Sequence, residues 1–326
     1  MENFLRDPVP EEASKQLSAI YSERQTCLKG PFDPDFLIFS SLISKYFKGD
    51  IGVSFKEPCP LRAERRENGN YLVYKDAEYY LGPSSFSSLL PLTLDDLVPI
   101  LSGISSDLIL RRRKLTEWER KVLNNAERLN LKVEKSLRLP GYNEVPLFLS
   151  IYYSLDPFIP EISGNRENSL KLVREIGGNE FTKLGDLDEA QLNSLIFRLI
   201  SSISRLNPKV TRDDLIEERF FFGNFDFLEL GFLSIFLMDL YGYPGLFRLA
   251  SEPSYPSEMV VVYRETLSRG LTLSLQDSKD YYLVETSLPS PTLLYLIAKQ
   301  LGKIKVEKPV VAKVGDKLIP SRYFSR

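Results

Sequence analysis

The sequence predicts an α/β protein built in more than one lobe, and three observations carry that expectation. Strand-like and helix-like segments alternate over roughly the first 150 residues, the pattern of a parallel sheet flanked by helices. At 326 residues the chain exceeds what one hydrophobic core usually spans. Its composition, 43% hydrophobic and 26% charged, is that of a folded globular chain.

In chain order, 11–29 carries a helical pattern, opened by Glu11, Glu12 and Ser14 and ended by Gly30-Pro31. Segment 35–47 has apolar residues at 36, 37, 39, 42, 43, 46 and 47, again helical spacing. Gly49-Asp50 stops that helix and 51–55 reads as a strand. Two β-rich runs, 70–75 and 78–81, flank a turn containing Asp76. A helix over 94–110 is capped at Thr93, and Thr116 caps a charged helix through Trp118 to Leu129. A loop rich in proline and glycine, 139–165, encloses the apolar run 145–155. Two helices follow in 166–206, broken by Gly177-Gly178, and a third spans about 228–240. Beyond Pro256, 259–267 and 293–301 read as helices, and 271–275, 281–285 and 309–314 as strands. The expected division is an α/β domain over 1–165, a helical connector over 166–250 and a small α/β domain over 251–326.

A net charge of −2 and a pI near 5.6 exert no global pull toward nucleic acid or an anionic membrane. The opening MENFLRDPVPEEASK shows no positive region followed by an apolar one, so no secretory signal is expected and a cytoplasmic protein is. The longest apolar stretch, 228–241, is interrupted by Glu229 and Asp239 and is too short to span a bilayer. Cys27 and Cys59 are expected as reduced, buried thiols. Histidine is absent altogether. That removes the commonest general base, and two cysteines without histidine cannot make the usual structural zinc site. No metal or cofactor is expected.

The run Gly30-Pro-Phe-Asp-Pro-Asp-Phe36 leads straight into a helix. It resembles the first motif of the DHH phosphoesterase superfamily, in which a strand ends in His-x-Asp-x-Asp-Gly. Asp33 and Asp35 stand at the acidic positions, the histidine is missing, and Phe36 replaces the glycine. Leu101-Ser-Gly-Ile-Ser-Ser-Asp107 resembles the later Gly-x-x-x-Asp motif, which supplies another metal-binding acid. Segment 132–175, with Pro140-Gly-Tyr, Pro146-Leu-Phe, Tyr153-Ser-Leu-Asp156-Pro and Ile159-Pro-Glu-Ile-Ser-Gly-Asn165, is similar to the archaeal RecJ branch. So is Phe181-Thr-Lys-Leu-Gly-Asp-Leu. Lys308-Pro-Val-Val and Gly315-Asp-Lys-Leu-Ile-Pro-Ser-Arg322 resemble the start of the family's second lobe, DHHA1, whose Ser-x-Arg element helps hold nucleic acid. The resemblance runs in order over most of the chain. It implies a DHH-type parallel-sheet lobe flanked by helices, a helical connector and a truncated DHHA1-like α/β lobe.

The Asp-His-His signature of the superfamily is absent. The region expected to hold it, 55–92, is shortened and offers Asp76 and Glu78 as its only well-placed acids. The chain stops about where the family's glycine- and histidine-rich loop would begin. A two-metal phosphodiesterase needs several ligands holding ions roughly 4 Å apart. Three carboxylates could hold one hard cation weakly, without the imidazoles that complete a manganese shell. The resemblance therefore implies no catalytic residue, with Asp33, Asp35 and Asp107 as vestiges. Archaeal RecJ-like proteins resemble in role the eukaryotic replication factor Cdc45, which shares the fold, lacks nuclease function and joins the MCM ring and the GINS complex. The expectation is an inactive subunit of the archaeal replication machinery that binds GINS, supports the MCM helicase and contacts single-stranded DNA. The alternative is a residual phosphodiesterase using Asp33, Asp35, Asp76 and Asp107.

Each residue set also has a plainer reading. Asp33 and Asp35 suit a helix N-terminus, where carboxylates satisfy free N–H groups and the helix dipole. Arg111, Arg112 and Arg113, like Arg62, Arg65 and Arg66, and Arg322 near the end, are candidates to track a phosphate backbone. The first two runs are equally solvated faces offset by Glu64, Glu67, Glu117 and Glu119. Phe220, Phe221, Phe222, Phe225, Phe227 and Phe232 read as the core of a strand-turn-helix rather than a stacking surface.

Overall fold

The computed structural model describes residues 7–271 and 273–323. The expectation drawn from residues 1–6, and position 272 of the strand expected over 271–275, lie outside them. Two discontinuous units make up the chain: Met1–Leu131 with Tyr241–Pro256, and Lys132–Leu240 with Ser257–Arg326.

The first unit begins with α1 (Pro10–Ile20), β1 (Gln25–Lys29), α2 (Pro34–Tyr46) and β2 (Asp50–Ser54). A meander follows, β3 (Leu61–Arg66), β4 (Gly69–Tyr74) and β5 (Ala77–Gly82), then α3 (Leu97–Arg111) and α4 (Glu117–Ala126). The sheet order is β2-β1-β3-β4-β5, parallel where β1 lies between β2 and β3 and antiparallel from β3 onward. The sheet is thus mixed, its parallel part confined to one side. Helix α2 is buried over most of its length, with Phe36, Leu37, Ile38, Phe39, Leu42 and Ile43 all inside, as expected of a core helix. It packs against α3 and against α9 (Tyr243–Ser251), which belongs to this unit.

Three features depart from expectation here. The helix expected over 11–29 ends at Ile20, and its last residues form β1, in which Thr26 and Leu28 are buried and Gln25 is exposed. That alternation is a strand's period of two, hidden behind a helical start. Strand β3 was masked by its charge: its sequence is Leu-Arg-Ala-Glu-Arg-Arg, yet Leu61 and Ala63 are fully buried. Cys27 and Cys59 are not free thiols. They form a disulfide with Cα atoms 5.3 Å apart, because the register pairing Leu28 with Leu61 sets the two chain segments side by side.

The second unit comprises β6 (Lys132–Leu137), α5 (Leu147–Tyr152), α6 (Arg166–Glu175), α7 (Glu189–Ile203), β7 (Ile216–Phe222), β8 (Phe225–Asp226) and α8 (Phe227–Tyr241). After α10 (Tyr255–Leu267) come β9 (Ser274–Asp277), β10 (Tyr282–Glu285), α11 (Pro291–Gln300), β11 (Val310–Val314) and β12 (Lys317–Pro320). β6-β7-β8 is antiparallel, and the second sheet runs β12-β11-β10-β9 with β10 and β11 parallel. A single core joins Leu137, Tyr142, Leu147, Ile151 and Ile159 to Val173, Leu195, Leu199 and Phe221. A boundary at 165 would cut through it, and one at 250 would cut α9. Both expected boundaries thus divide side chains that pack together.

The acids that interrupt the apolar helix α8 are buried and partnered. Arg264 Nε and Nη2 each donate to Glu229 at 2.7 Å. Asp239 accepts from the Ser290 hydroxyl at 2.6 Å and the Thr292 hydroxyl and amide at 2.8 Å, and burial pushes its carboxyl up to about 6. Phe220, Phe221, Phe227 and Phe232 are buried around the β7–β8 turn, as a strand-turn-helix core requires. Among the described residues no helix is long and apolar enough to cross a membrane.

Leu195 is completely buried in the core joining α5, α6 and α7. Leu195→Ala is expected to cost about 3 kcal/mol, read from urea unfolding, by loss of transfer energy and the cavity left behind.

Candidate functional site

The motif residues Asp33 and Asp35 lie where β1 gives way to α2. Asp33 is the N-cap of α2 and accepts from the Phe36 amide at 3.0 Å, so the helix-terminus reading holds for it. Asp35, in the first turn of α2, accepts from the backbone amides of Phe86 at 2.8 Å and Ser87 at 2.9 Å. Phe36, at the motif's glycine position, lays its ring over Gly30, where a Cβ would come within 2.2 Å of it. Asp107 sits one turn before the end of α3. Gly103, four residues earlier, lets α3 approach: a Cβ there would lie 2.0 Å from Ser87 Oγ and 3.3 Å from Asp35 Oδ1.

What joins the three aspartates is Arg65. Its Nε and Nη2 donate to the two oxygens of Asp33 at 2.7 and 3.0 Å, and Nη2 also reaches Asp35 Oδ2 at 3.1 Å. Nη1 lies 2.9 Å from Asp107 Oδ1. The side chain is 8% exposed, and its guanidinium stacks 4.6 Å from the centre of the Phe86 ring. Strand geometry puts it there. Leu61, Ala63 and Arg65 share one face of β3, while Arg62, Glu64 and Arg66 share the other and pair among themselves at 2.7–2.8 Å.

Further cations close the cluster. Arg111 Nε donates to Asp107 Oδ1 at 2.8 Å. Arg113 bridges Asp107 Oδ2 at 2.6 Å and both oxygens of buried Glu119 at 2.7 Å. Glu119 is itself fixed by the capping box with Thr116 and by the Ser85 amide at 2.9 Å. Four carboxylates thus face three guanidinium groups. Burial, and after it the charge of Asp107, pushes the Asp35 carboxyl up to about 7 against the pull of Arg65. Burial would also raise Asp107, but Arg65, Arg113 and Arg111 hold it below the usual carboxylate range.

The structure brings together Asp33, Asp35, Asp107, Arg65, Arg111 and Arg113, and leaves the remaining candidates elsewhere. Asp76 is exposed on the β4–β5 turn. It follows Tyr74, which pairs with Leu61, four residues and roughly 13 Å along β3 from Arg65. Arg66 pairs with Glu64 and Glu78, each at 2.7 Å. Arg112 is the left-handed C-cap of α3. In the second unit, Arg322 Nε donates to the Asp239 carbonyl at 3.0 Å. The charge of the run 62–66 suggests an outward face, which hides the cation at the centre. The alternation of buried positions along β3 was the signal that could have found it.

This mixed sheet flanked by helices, with acids at the β1–α2 junction and on α3, is an α/β fold of the kind that the resemblance to RecJ-like proteins implies. The chain belongs to the archaeal Cdc45 family: the family model described as Archaeal Cdc45 matches residues 1–326. That family ties it to DNA replication. Among solved structures, the crystal structure of CDC45 from Entamoeba histolytica is similar in fold, with a TM-score of 0.53 and 10% sequence identity. The match covers 94% of this chain and 85% of that one. No curated protein matches the sequence.

The superfamily implies a metal pair at these aspartates, and the residues present do not fit one. The Arg65 guanidinium fills the space the three carboxylates enclose. Among the described residues no group of three or more Cys, Asp or Glu side chains is arranged to hold an ion.

Removing Arg65 would strand buried carboxylates. Arg65→Met is expected to destabilise by about 3–5 kcal/mol in urea unfolding. The Asp35 proton gives a second test. Its folded pKa lies above the ordinary value, so its stabilising contribution is full below about pH 4 and lost as pH rises through about 7. The urea midpoint of the unmodified protein should fall from pH 5 to pH 8 more steeply than that of Asp35→Asn, whatever the variant's own cost.

Proposed function

We propose that this chain is a catalytically inactive RecJ-like subunit of the archaeal replication machinery, which binds GINS and through it supports the MCM helicase. The observation that carries the loss of catalysis is the Arg65 guanidinium lying 2.7–3.1 Å from Asp33, Asp35 and Asp107. A cation to activate water would have to displace a buried side chain that already neutralises those carboxylates. Family membership supports the replication role, and the partners follow from the resemblance to Cdc45. Contact with single-stranded DNA would fall to the half-buried Arg62 and the exposed Arg66 and Arg112, since Arg65, Arg111 and Arg113 are committed to buried acids.

Incubated with single-stranded oligonucleotides and manganese or magnesium, the purified chain should release no product above a protein-free control. Metal-dependent digestion that disappears in Asp33→Ala would overturn the inactive assignment in favour of a residual phosphodiesterase. In size-exclusion chromatography the chain should co-elute with GINS and raise MCM unwinding in the reconstituted mixture. Separate elution with unchanged unwinding would remove the proposed partners. Direct DNA contact predicts affinity that falls steeply with salt and weakens in Arg62→Ala/Arg66→Ala.

A further inference from the structure

The sheet of the first unit consists of two parts joined at one place. β1 and β2 are matched over five residue pairs, Gln25–Lys29 against Asp50–Ser54, and β3 and β4 over six. Between them, β1 and β3 are matched at two pairs only, Leu28 with Leu61 and Lys29 with Arg62. So short a parallel ladder supplies few hydrogen bonds, and parallel pairing is slightly weaker per residue than antiparallel. The buried charge cluster nonetheless spans this seam, with Asp33 and Asp35 just beyond β1 and Arg65 on β3.

Two further ties flank the ladder. On one side Arg65 holds Asp33 at 2.7 Å. On the other, directly before Leu28 and two residues before Leu61, the Cys27–Cys59 disulfide links the same two segments. Cys59 is buried, whereas Cys27 is half-buried on the more open face of β1, opposite Gly52, which has no side chain to cover it. A covalent tie is thus paired with an ionic one across the narrowest junction of the sheet, and Cys27 is the less buried of its two residues.

We propose that the Cys27–Cys59 disulfide is a redox-controlled clamp on the β1–β3 seam, opened by a dithiol reductant and closed again by a dithiol's oxidised form. In opening, a reductant thiolate attacks Cys27 Sγ, the S–S bond breaks, and Cys59 leaves as a thiolate that takes up a proton. The reductant's second thiolate then attacks the mixed disulfide, releasing the Cys27 thiolate, which is protonated, and leaving the reductant as its own disulfide. Two electrons and two protons pass to the protein, and the seam is left to its short ladder, its packing and the Arg65 ion pairs.

The test uses the full chain equilibrated with oxidised dithiothreitol, with reduced dithiothreitol, and with each in turn. Alkylation in denaturant followed by mass spectrometry should count no free thiols in the first state and two in the second. Hydrogen exchange over 25–29 and 61–66 should quicken about ten-fold on reduction and slow again on reoxidation, while 190–203 stays unchanged. The Cys27→Ser/Cys59→Ser variant should match the reduced protein and ignore either reagent. Two alkylated thiols after equilibration with oxidised dithiothreitol, or the same exchange at 25–29 and 61–66 in both states, would overturn the proposal. Reduction of the unmodified chain keeps the test decisive if the double variant does not fold.

Discussion

Three carboxylates from two helices of one unit converge on the guanidinium of Arg65, and the arrangement of that unit depends on this meeting. Asp33 and Asp35 come from the start of α2 and Asp107 from the end of α3, with Arg65 supplied by β3. Unpaired, buried carboxylates this close would repel one another and would cost several kcal/mol each in lost hydration. A guanidinium answers both problems because it is planar, permanently charged and able to donate in several directions at once, which a lysine ammonium on a flexible stem would do less well. Phe86 completes the setting, its ring against the cation and its amide on Asp35.

The second unit follows the same rule with other means. Arg219 is essentially unexposed and holds Asp226 at 2.6 Å beside the β7–β8 turn, and Arg264 clasps Glu229 with two parallel hydrogen bonds. Asp239 is held by two hydroxyls and the Thr292 amide, and burial pushes its carboxyl up to about 6. Glu229 and Asp239, acids within the apolar α8, thus tie that helix to elements distant in sequence.

Local pattern made part of this legible. Asp33 as a helix cap, Thr116 as the cap of α4, and the mostly apolar helices α2 and α8 follow from spacing alone. The resemblance to the DHH motifs groups Asp33, Asp35 and Asp107 as one set. Arg65 is hidden in the sequence because, although Leu61, Ala63 and Arg65 share a face, the neighbouring Arg62, Glu64 and Arg66 give the run a solvated character. The disulfide and the two discontinuous units escaped for a different reason. Both depend on which distant segments become neighbours, and neither residue type nor local period encodes that. Asp76, by contrast, looked well placed only by its position in the sequence, since the register of β3 with β4 carries it to the far end of the hairpin.

Replacing an exchangeable ion by a side chain changes more than catalysis. A metal pair couples the integrity of a site to ion supply and pH, because its ligands must be deprotonated for the ions to bind. A covalently attached guanidinium is always present and always charged, so the acids keep their counter-charge whatever the ion supply. It also lacks the open coordination position from which a metal-bound water attacks a phosphodiester. The elements that would frame a reaction in a RecJ-like enzyme here hold one another in place. That arrangement suits a chain whose proposed task is to join other proteins at the fork, where a fixed shape matters and a nuclease site beside unwound DNA would be a hazard.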